Sequence, residues 1–166
     1  EIIMTRSHGI LGQNARNLLY IQNEDFSHYR KLADSKLTTK KFLSGHGVAV
    51  PETIAILKNI SEISTEFIAT LEPPFVIKPN NWYGGKGIII INEKKSDGGF
   101  ITNTGENYSI KGLYQHCIRI LDGFFSLSGR RDTIFIEKKI ELAREIELLW
   151  KYGLPDIRVI VYNSVP

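Results

Sequence analysis

The sequence predicts an α+β fold in which helices pack beside an antiparallel sheet. Two observations lead to this fold class. Short runs rich in isoleucine and valine come in hairpin-like pairs, and segments with helical periodicity lie between them. The chain has 166 residues, of which 42% are apolar and 23% charged. That is enough for one domain with a hydrophobic core.

The predicted helices share apolar residues spaced three or four apart, with good capping residues at their starts. They are expected at residues 11–22, at 34–44 starting with the N-caps Asp34 and Ser35, from Ser61 to the prolines at 73 and 74, after Ser109, and at 141–150. The helix after Ser109 is the clearest. Its apolar stripe consists of Leu113, Cys117, Ile120, Leu121 and Phe124. Cys117 therefore belongs to the core and is not expected to react.

The predicted strands are short and bounded by turn residues. They are expected at residues 75–78, 87–92, 100–102, 133–137 and 156–163, with a further extended segment at 47–57. The polar stretch EKKSDGG at 93–99 is a turn between two of them.

Composition narrows the function classes. The net charge of +3 is too small to argue for nucleic acid by itself. One cysteine excludes an internal disulfide and fits a reducing compartment, so we expect a cytoplasmic protein. The longest apolar runs, such as Ile88–Ile91, are much shorter than the ~20 residues of a membrane helix. The chain begins at Glu1 and stops at Pro166 after a strand-like run, from which we expect a fragment.

The stretch FVIKPNNWYGGKGIIII, residues 75–91, places Lys78 at the end of one strand and Gly84, Gly85 and Gly87 before the next. Glycines that adopt positive φ expose successive backbone N–H groups, which bind anions and most often phosphate. The pattern is not a P-loop, because Gly87 follows where serine or threonine is needed and a strand follows where a helix is needed. The alternative is an ordinary hairpin turn with a solvated lysine.

Four stretches occur in the order found in ATP-grasp ligases, which the chain resembles. They are SKLTTKKFLSGHGVAVPET, FVIKPNNWYGGKGIIII, TIFIEKKIE and LPDIRVIVYNSVP. Two more, GILGQNARNLLYI and LDGFFSLSGRRDTIFIE, resemble α-L-glutamate ligase-like proteins, relatives of the enzyme that adds glutamate to a ribosomal protein. The resemblance implies an incomplete ATP-grasp fold. Its expected parts are a helical segment at 1–72, a nucleotide-binding subdomain at 73–140 and the start of a C-terminal subdomain at 141–166.

The resemblance also implies a role for several residues around the nucleotide. Those that match the family's phosphate site are Lys36 with Lys40 in reserve, Lys78, and the flap glycines Gly84, Gly85 and Gly87, with Asn80 and Asn81 at the flap's entrance. Lys36 follows Ser35 where the family usually has aspartate, and Trp82 and Tyr83 stand at the flap tip where it often has small residues.

On the base side, the resemblance implies that backbone groups of Glu137, Lys138 and Ile140 read adenine. Asp156, or alternatively Glu145, would accept hydrogen bonds from the ribose hydroxyls. Arg158 lies two residues after Asp156 on the same strand face, so we expect it beside the nucleotide, toward the reacting phosphate, as the catalytic candidate.

The implied activity is carboxylate–amine ligation through an acyl phosphate, with ATP and Mg²⁺ as cofactors. The chain, expected to be a fragment, is expected to have no ligase activity alone. The expected partners are glutamate or a similar amino acid and a peptide or protein acceptor, with no membrane and no nucleic acid. The family's Mg²⁺ ligands would come after Pro166, so no residue is assigned to a metal.

One alternative is a non-catalytic module that binds a nucleotide or a partner. A weaker one is RNA binding through Lys40, Lys41, Arg130 and Arg131. The four histidines lack metal-ligand spacing and are interpreted as surface or capping residues.

Overall fold

A computed structural model describes residues 12–21, 32–81, 84–126 and 129–149. Its strands are β1 (Thr53–Leu57), β2 (Phe75–Pro79), β3 (Ile89–Lys94), β4 (Phe100–Thr102), β5 (Asn107–Tyr108) and β6 (Ile134–Lys138). They form one antiparallel sheet in the order β1-β6-β2-β3-β4-β5. The predicted α+β class is confirmed. The strand predicted at 156–163 lies outside the described residues.

The helices are α1 (Gln13–Ala15), which continues as a π-helix over Arg16–Ile21, α2 (Lys36–Gly45), α3 (Thr65–Thr70), α4 (Ile110–Leu121) and α5 (Arg144–Leu149). Serine hydroxyls cap α2, α3 and α4. Ser35, Ser64 and Ser109 each accept a hydrogen bond from the backbone N–H three residues later. Each cap satisfies one of the N–H groups that a helix start leaves without a partner. In the described part of the chain, no helix is long and apolar enough to cross a bilayer.

The hydrophobic core lies between one face of the sheet and the helices α3 and α4. Phe75 and Ile77 of β2 and Ile136 of β6 point into it, and each is 0% exposed. Cys117 of α4 is also 0% exposed, so its predicted place in the core is confirmed. Alternation along each strand sends the intervening side chains to the opposite face. That second face carries the charged residues described below.

Two predicted helix boundaries are wrong, and each has a local reason. Ser61 does not open α3, because it lies inside a 3₁₀ turn over Ile60–Glu62. The next residue, Ile63, is extended and buried in the core. Ser64 is the cap instead. Phe124 does not belong to the stripe of α4, because Gly123 follows the helix with a φ of 78°. Phe124 is consequently 65% exposed.

Candidate nucleotide site

Lys78 and Glu137 lie on the face of the sheet that is opposite the core. β2 and β6 are antiparallel neighbours, with Val76 opposite Glu137 and Lys78 opposite Phe135. Lys78 and Glu137 are therefore diagonal neighbours on one face, within reach of each other through their long side chains. The pairing of two distant strands brings together residues 59 positions apart.

Glu137 is a buried carboxylate that pairs with two lysines. Only 4% of the residue is exposed. Its Oε2 is 2.9 Å from Lys40 Nζ, and its Oε1 accepts a hydrogen bond from Lys78 Nζ. Both ammonium groups are 5.9 Å from the centroid of the Phe135 ring, within cation–π range. A buried carboxylate requires such pairing, and here one negative charge holds two positive charges in place.

The start of α2 is fixed to the end of β2, which sets the position of Lys40. Asn80 is buried, and its Oδ1 accepts a hydrogen bond from the Leu37 N–H at 2.9 Å. Its Nδ2 donates to the capping hydroxyl of Ser35 at 3.1 Å. Since residues four apart lie on the same side of a helix, this attachment directs Lys36 and Lys40 toward the same strand end.

Lys36 provides a third ammonium group close to the other two. Its Nζ donates hydrogen bonds to the carbonyl oxygens of Pro79 and Asn80, both at 3.1 Å. Burial lowers the pKa of Lys36 below its ordinary value; the nearby Asp132 carboxylate opposes this shift, and the positive charge of Lys78 adds to it. The ammonium is thus partly desolvated, and an additional negative charge at this point would favour its protonated form.

Asp132 supports the same strand end from the other side. It is buried and accepts hydrogen bonds from the backbone N–H of Asn81 at 3.1 Å and from its side-chain Nδ2 at 2.9 Å. It also accepts from the Thr133 N–H at 2.7 Å. Asn80 and Asn81, predicted at the entrance of the flap, therefore connect β2 to α2 and to the start of β6. Together the site holds three ammonium groups against two carboxylates.

The glycine loop follows directly after this strand end. Gly84, Gly85 and Gly87 have φ values of 74°, 73° and 77°, a conformation that glycine adopts at little steric cost. Gly84 and Gly85 are exposed, whereas Gly87 is half-buried against Phe125. The described loop residues before Gly87 are therefore open to solvent.

The structure brings together Lys36, Lys40, Lys78 and Glu137, and it leaves other predicted residues at the surface. Lys138 is exposed and pairs with Glu52 at 2.6 Å. Ile140 is 49% exposed, on the segment that follows β6. Glu145 is exposed on α5. Asp156 and Arg158 lie outside the described residues, so their proposed contacts stay predictions.

Comparison with known proteins gives one match. The profile of the family described as sugar-transfer associated ATP-grasp matches residues 15–166. The chain belongs to the sugar-transfer associated ATP-grasp family. The predicted membership of the ATP-grasp superfamily is confirmed. The finer resemblance to glutamate ligases stays a prediction. Neither the curated proteins nor the solved structures that were compared with the chain gave a match.

Membership of an ATP-grasp family indicates ATP binding by the chain. It also raises the question of Mg²⁺, which prefers carboxylate oxygens that are free to bind it. The two carboxylates at the phosphate end, Asp132 and Glu137, are occupied by backbone N–H groups and by lysines. No group of three potential ligands occurs among the described residues. These residues do not fit Mg²⁺, and no chemical step is assigned to it.

Sequence reasoning missed two residues of the candidate site. No pattern in the sequence indicates a role for Asp132, although a carboxylate immediately before a strand can brace a neighbouring strand end. His116 was interpreted as a surface or capping residue, and that interpretation is wrong. It is half-buried, and its Nε2 lies 2.9 Å from the carbonyl oxygen of Gly87. No pattern in the sequence indicates this contact, which joins residues 29 positions apart.

Proposed function

We propose that this chain binds ATP and is part of an ATP-dependent carboxylate–amine ligase. A carboxylate oxygen attacks the γ-phosphorus, the bond from that phosphorus to the β–γ bridging oxygen breaks, and ADP leaves with the electron pair. The product is an acyl phosphate. An amine then attacks its carbonyl carbon, phosphate leaves, and the nitrogen loses a proton. Such a transfer depends mostly on positioning and on neutralising charge.

One observation carries the proposal. Three lysine ammonium groups converge near the end of β2, and the glycine loop with the exposed Gly84 and Gly85 follows along the chain. A polyphosphate placed there would receive charge-assisted hydrogen bonds, each worth about 1.5–3 kcal/mol. The lysines are held by a helix cap and by Glu137, so little side-chain entropy remains to be lost on binding.

The register of the sheet gives the direction of the nucleotide. Lys138 pairs with Phe75 at one end of β2, and Ile134 pairs with Pro79 at the other. The predicted adenine segment and the phosphate site are therefore separated by four residues of strand, about 13 Å. An extended nucleoside triphosphate spans a comparable distance. We propose that the base lies near Lys138 and Ile140 and that the phosphates lie over Lys78, beside Lys36 and Lys40 of α2.

The substrates follow from the resemblance and from the family description. We propose glutamate or a similar amino acid as one partner and a peptide or protein as the other. Because the family is described as sugar-transfer associated, an amino sugar should be included among the acceptors that are tested.

The test has a binding part and a chemical part. In a thermal-shift titration, ATP should stabilise the wild-type protein, and Lys78→Ala should weaken ATP binding about tenfold to a hundredfold, as expected for one charge-assisted contact. The matched control is Lys111→Ala, because Lys111 is exposed on α4, which packs on the other face of the sheet. A Lys78→Ala variant that binds ATP like the control contradicts the phosphate assignment.

The chemical part traps the intermediate. In a polypeptide that also carries the Mg²⁺ ligands expected after Pro166, ATP, glutamate and hydroxylamine should together give a hydroxamate and ADP, because hydroxylamine attacks an acyl phosphate in place of the natural amine. Omitting the carboxylic acid should abolish ADP formation. Tight ATP binding without any hydroxamate, over a panel of carboxylic acids, would favour the alternative of a non-catalytic nucleotide-binding module.

A further inference from the structure

The glycine loop is attached to helix α4 at one of its ends. The imidazole Nε2 of His116 lies 2.9 Å from the carbonyl oxygen of Gly87. A carbonyl oxygen can only accept a hydrogen bond, so Nε2 carries the proton and donates it. The neighbouring residues of α4 that form its apolar stripe, Leu113 and Cys117, point into the core instead. The side chain of His116 therefore points away from the apolar stripe and toward the loop.

An aromatic ring fixes the same glycine from a second direction. A Cβ added at Gly87 would lie 2.9 Å from two atoms of the Phe125 ring, so the ring rests directly against the backbone. The rings of Phe125 and His116 are 5.3 Å apart. The guanidinium of Arg119 lies 4.0 Å from the Phe124 ring and 5.6 Å from the Phe125 ring. His116, Arg119 and Phe125 form what we call the loop anchor.

The two ends of the loop therefore differ. Gly87 is held by the anchor, whereas Gly84 and Gly85 are exposed, and a Cβ added to either would meet no atom of the described residues within 4 Å. A loop with three glycines has a large conformational entropy, which must be lost when it closes on a ligand. Fixing one end beforehand reduces that loss and directs the N–H groups at the other end.

We propose that His116 is a positioning residue that, together with Phe125, holds the base of the glycine loop so that its free end meets the phosphates of the nucleotide. The role of the free end rests on the proposed function, whereas the anchoring of Gly87 does not. His116 touches neither the phosphates nor the lysine cluster; it acts through the backbone of the loop. The affinity for the phosphate part of the ligand should depend on it, and the affinity for the base should not.

The first experiment measures the loop without any ligand. Hydrogen exchange followed by mass spectrometry on the segment 84–92 should be about fivefold faster in His116→Ala, the change expected for the loss of one net hydrogen bond. His116→Gln should restore part of the protection, since a glutamine amide can donate to the same carbonyl oxygen. Gln115→Ala, an exposed neighbour on the same helix, is the control and should leave the segment unchanged. Unaltered exchange in β6 would show that each variant is folded.

The second experiment separates phosphate binding from base binding. By calorimetry, His116→Ala should bind ATP about fivefold more weakly and adenosine as well as the wild-type protein does. Phe125→Leu should act in the same direction, and Phe67→Leu is its control, because Phe67 is also half-buried but packs against the core from α3.

The outcomes are distinct. Equal exchange in His116→Ala and Gln115→Ala would overturn the anchor itself. Equal losses of ATP and adenosine affinity would overturn the positioning role, since a general loss of structure affects both ligands. A wild-type protein that binds no ATP would refute the proposed function, and the exchange data would still decide whether His116 holds the loop.

Discussion

Replacing Glu137 by glutamine is expected to destabilise the fold and, at the same time, to strengthen phosphate binding. The substitution keeps the shape of the side chain and removes its charge. Lys40 and Lys78 would then face each other across a neutral amide, with the Phe135 ring below both ammonium groups. The two effects have opposite signs because the same negative charge neutralises the lysines in the free protein and competes with the phosphates of a ligand.

The cost in stability follows from the geometry. At 2.9 Å from Lys40, the gross attraction of one pair is about 6 kcal/mol for an effective dielectric constant of ~20, and desolvation cancels most of it. Removing one partner of a buried pair usually costs about 3–5 kcal/mol. The side chains of Lys40 and Lys78 retain 14% and 27% of their exposure, so water can stabilise them in part. We expect a loss of about 2–3 kcal/mol in the free energy of unfolding.

The gain in affinity comes from the same charge. A carboxylate about 8 Å from a phosphate opposes its binding by roughly 1–2 kcal/mol at an effective dielectric constant of ~20–40. Removing it should tighten ATP binding about tenfold. AMP, which carries less charge, should gain less than ATP does.

Urea unfolding with linear extrapolation measures the first effect and calorimetry the second. Glu52→Gln is the matched control, because Glu52 pairs with Lys138 at 2.6 Å but both side chains are more than 60% exposed. This control should lose no more than about 0.5 kcal/mol. Equal losses in the two variants would refute the view that Glu137 is a buried, structurally required charge. Weaker ATP binding in Glu137→Gln would show that the carboxylate chiefly orients the lysines.

Three further predictions test other parts of the structure. Burial raises the pKa of Cys117 to about 12, so iodoacetamide at about pH 8 should not modify the native protein but should modify it fully in concentrated guanidinium. Burial lowers the pKa of His116 in the folded protein. When the pH falls below the ordinary pKa of about 6.5, the unfolded chain therefore binds more protons than the folded protein, and stability falls as the pH falls. Urea unfolding between about pH 5 and pH 7.5 should show this slope, and His116→Gln should flatten it. Gly87→Ala should lower the free energy of unfolding more than Gly84→Ala does. Both glycines have positive φ, but only at Gly87 would an added Cβ lie 2.9 Å from the Phe125 ring. Equal costs would show that the ring moves aside freely.

Much of the fold could be predicted from local patterns. The stripe after Ser109 gives α4, and the third strand was placed at residues 100–102, where β4 is found. These two predictions succeed because hydrophobic periodicity and helix capping depend on residues that are close together in the sequence. The start of α3 was misplaced because Ser61 and Ser64 are equally good caps in the sequence. What decides between them is the burial of Ile63 in the core, which depends on the whole fold.

The candidate site was predictable only in part for the same reason. Lys78 and the glycines are neighbours in the sequence, and the resemblance supplied Lys36 and Glu137. The pairing of Glu137 with Lys40 joins residues 97 positions apart and depends on the register of β6. The side chain of Glu137 was given no role, although it is the most buried charge in the described site. Contacts of this kind follow from tertiary geometry and leave no periodic signal.

The two sides of the site are built for different tasks. The lysines are held by Glu137 and by the hydrogen bonds of Asn80 to the start of α2, so their positive charges are in place before a ligand arrives. This arrangement sacrifices some stability, because unlike charges that are buried gain little net free energy from pairing. The glycine loop, in contrast, is held at Gly87 and exposed at Gly84. A rigid cationic side favours a particular arrangement of phosphates, and a partly anchored loop can close over whichever group is attached to them. Selectivity for the triphosphate should therefore depend on the lysines and Glu137, and closure should depend on the loop and its anchor, so that substitutions in the two sets add in their effects on binding free energy.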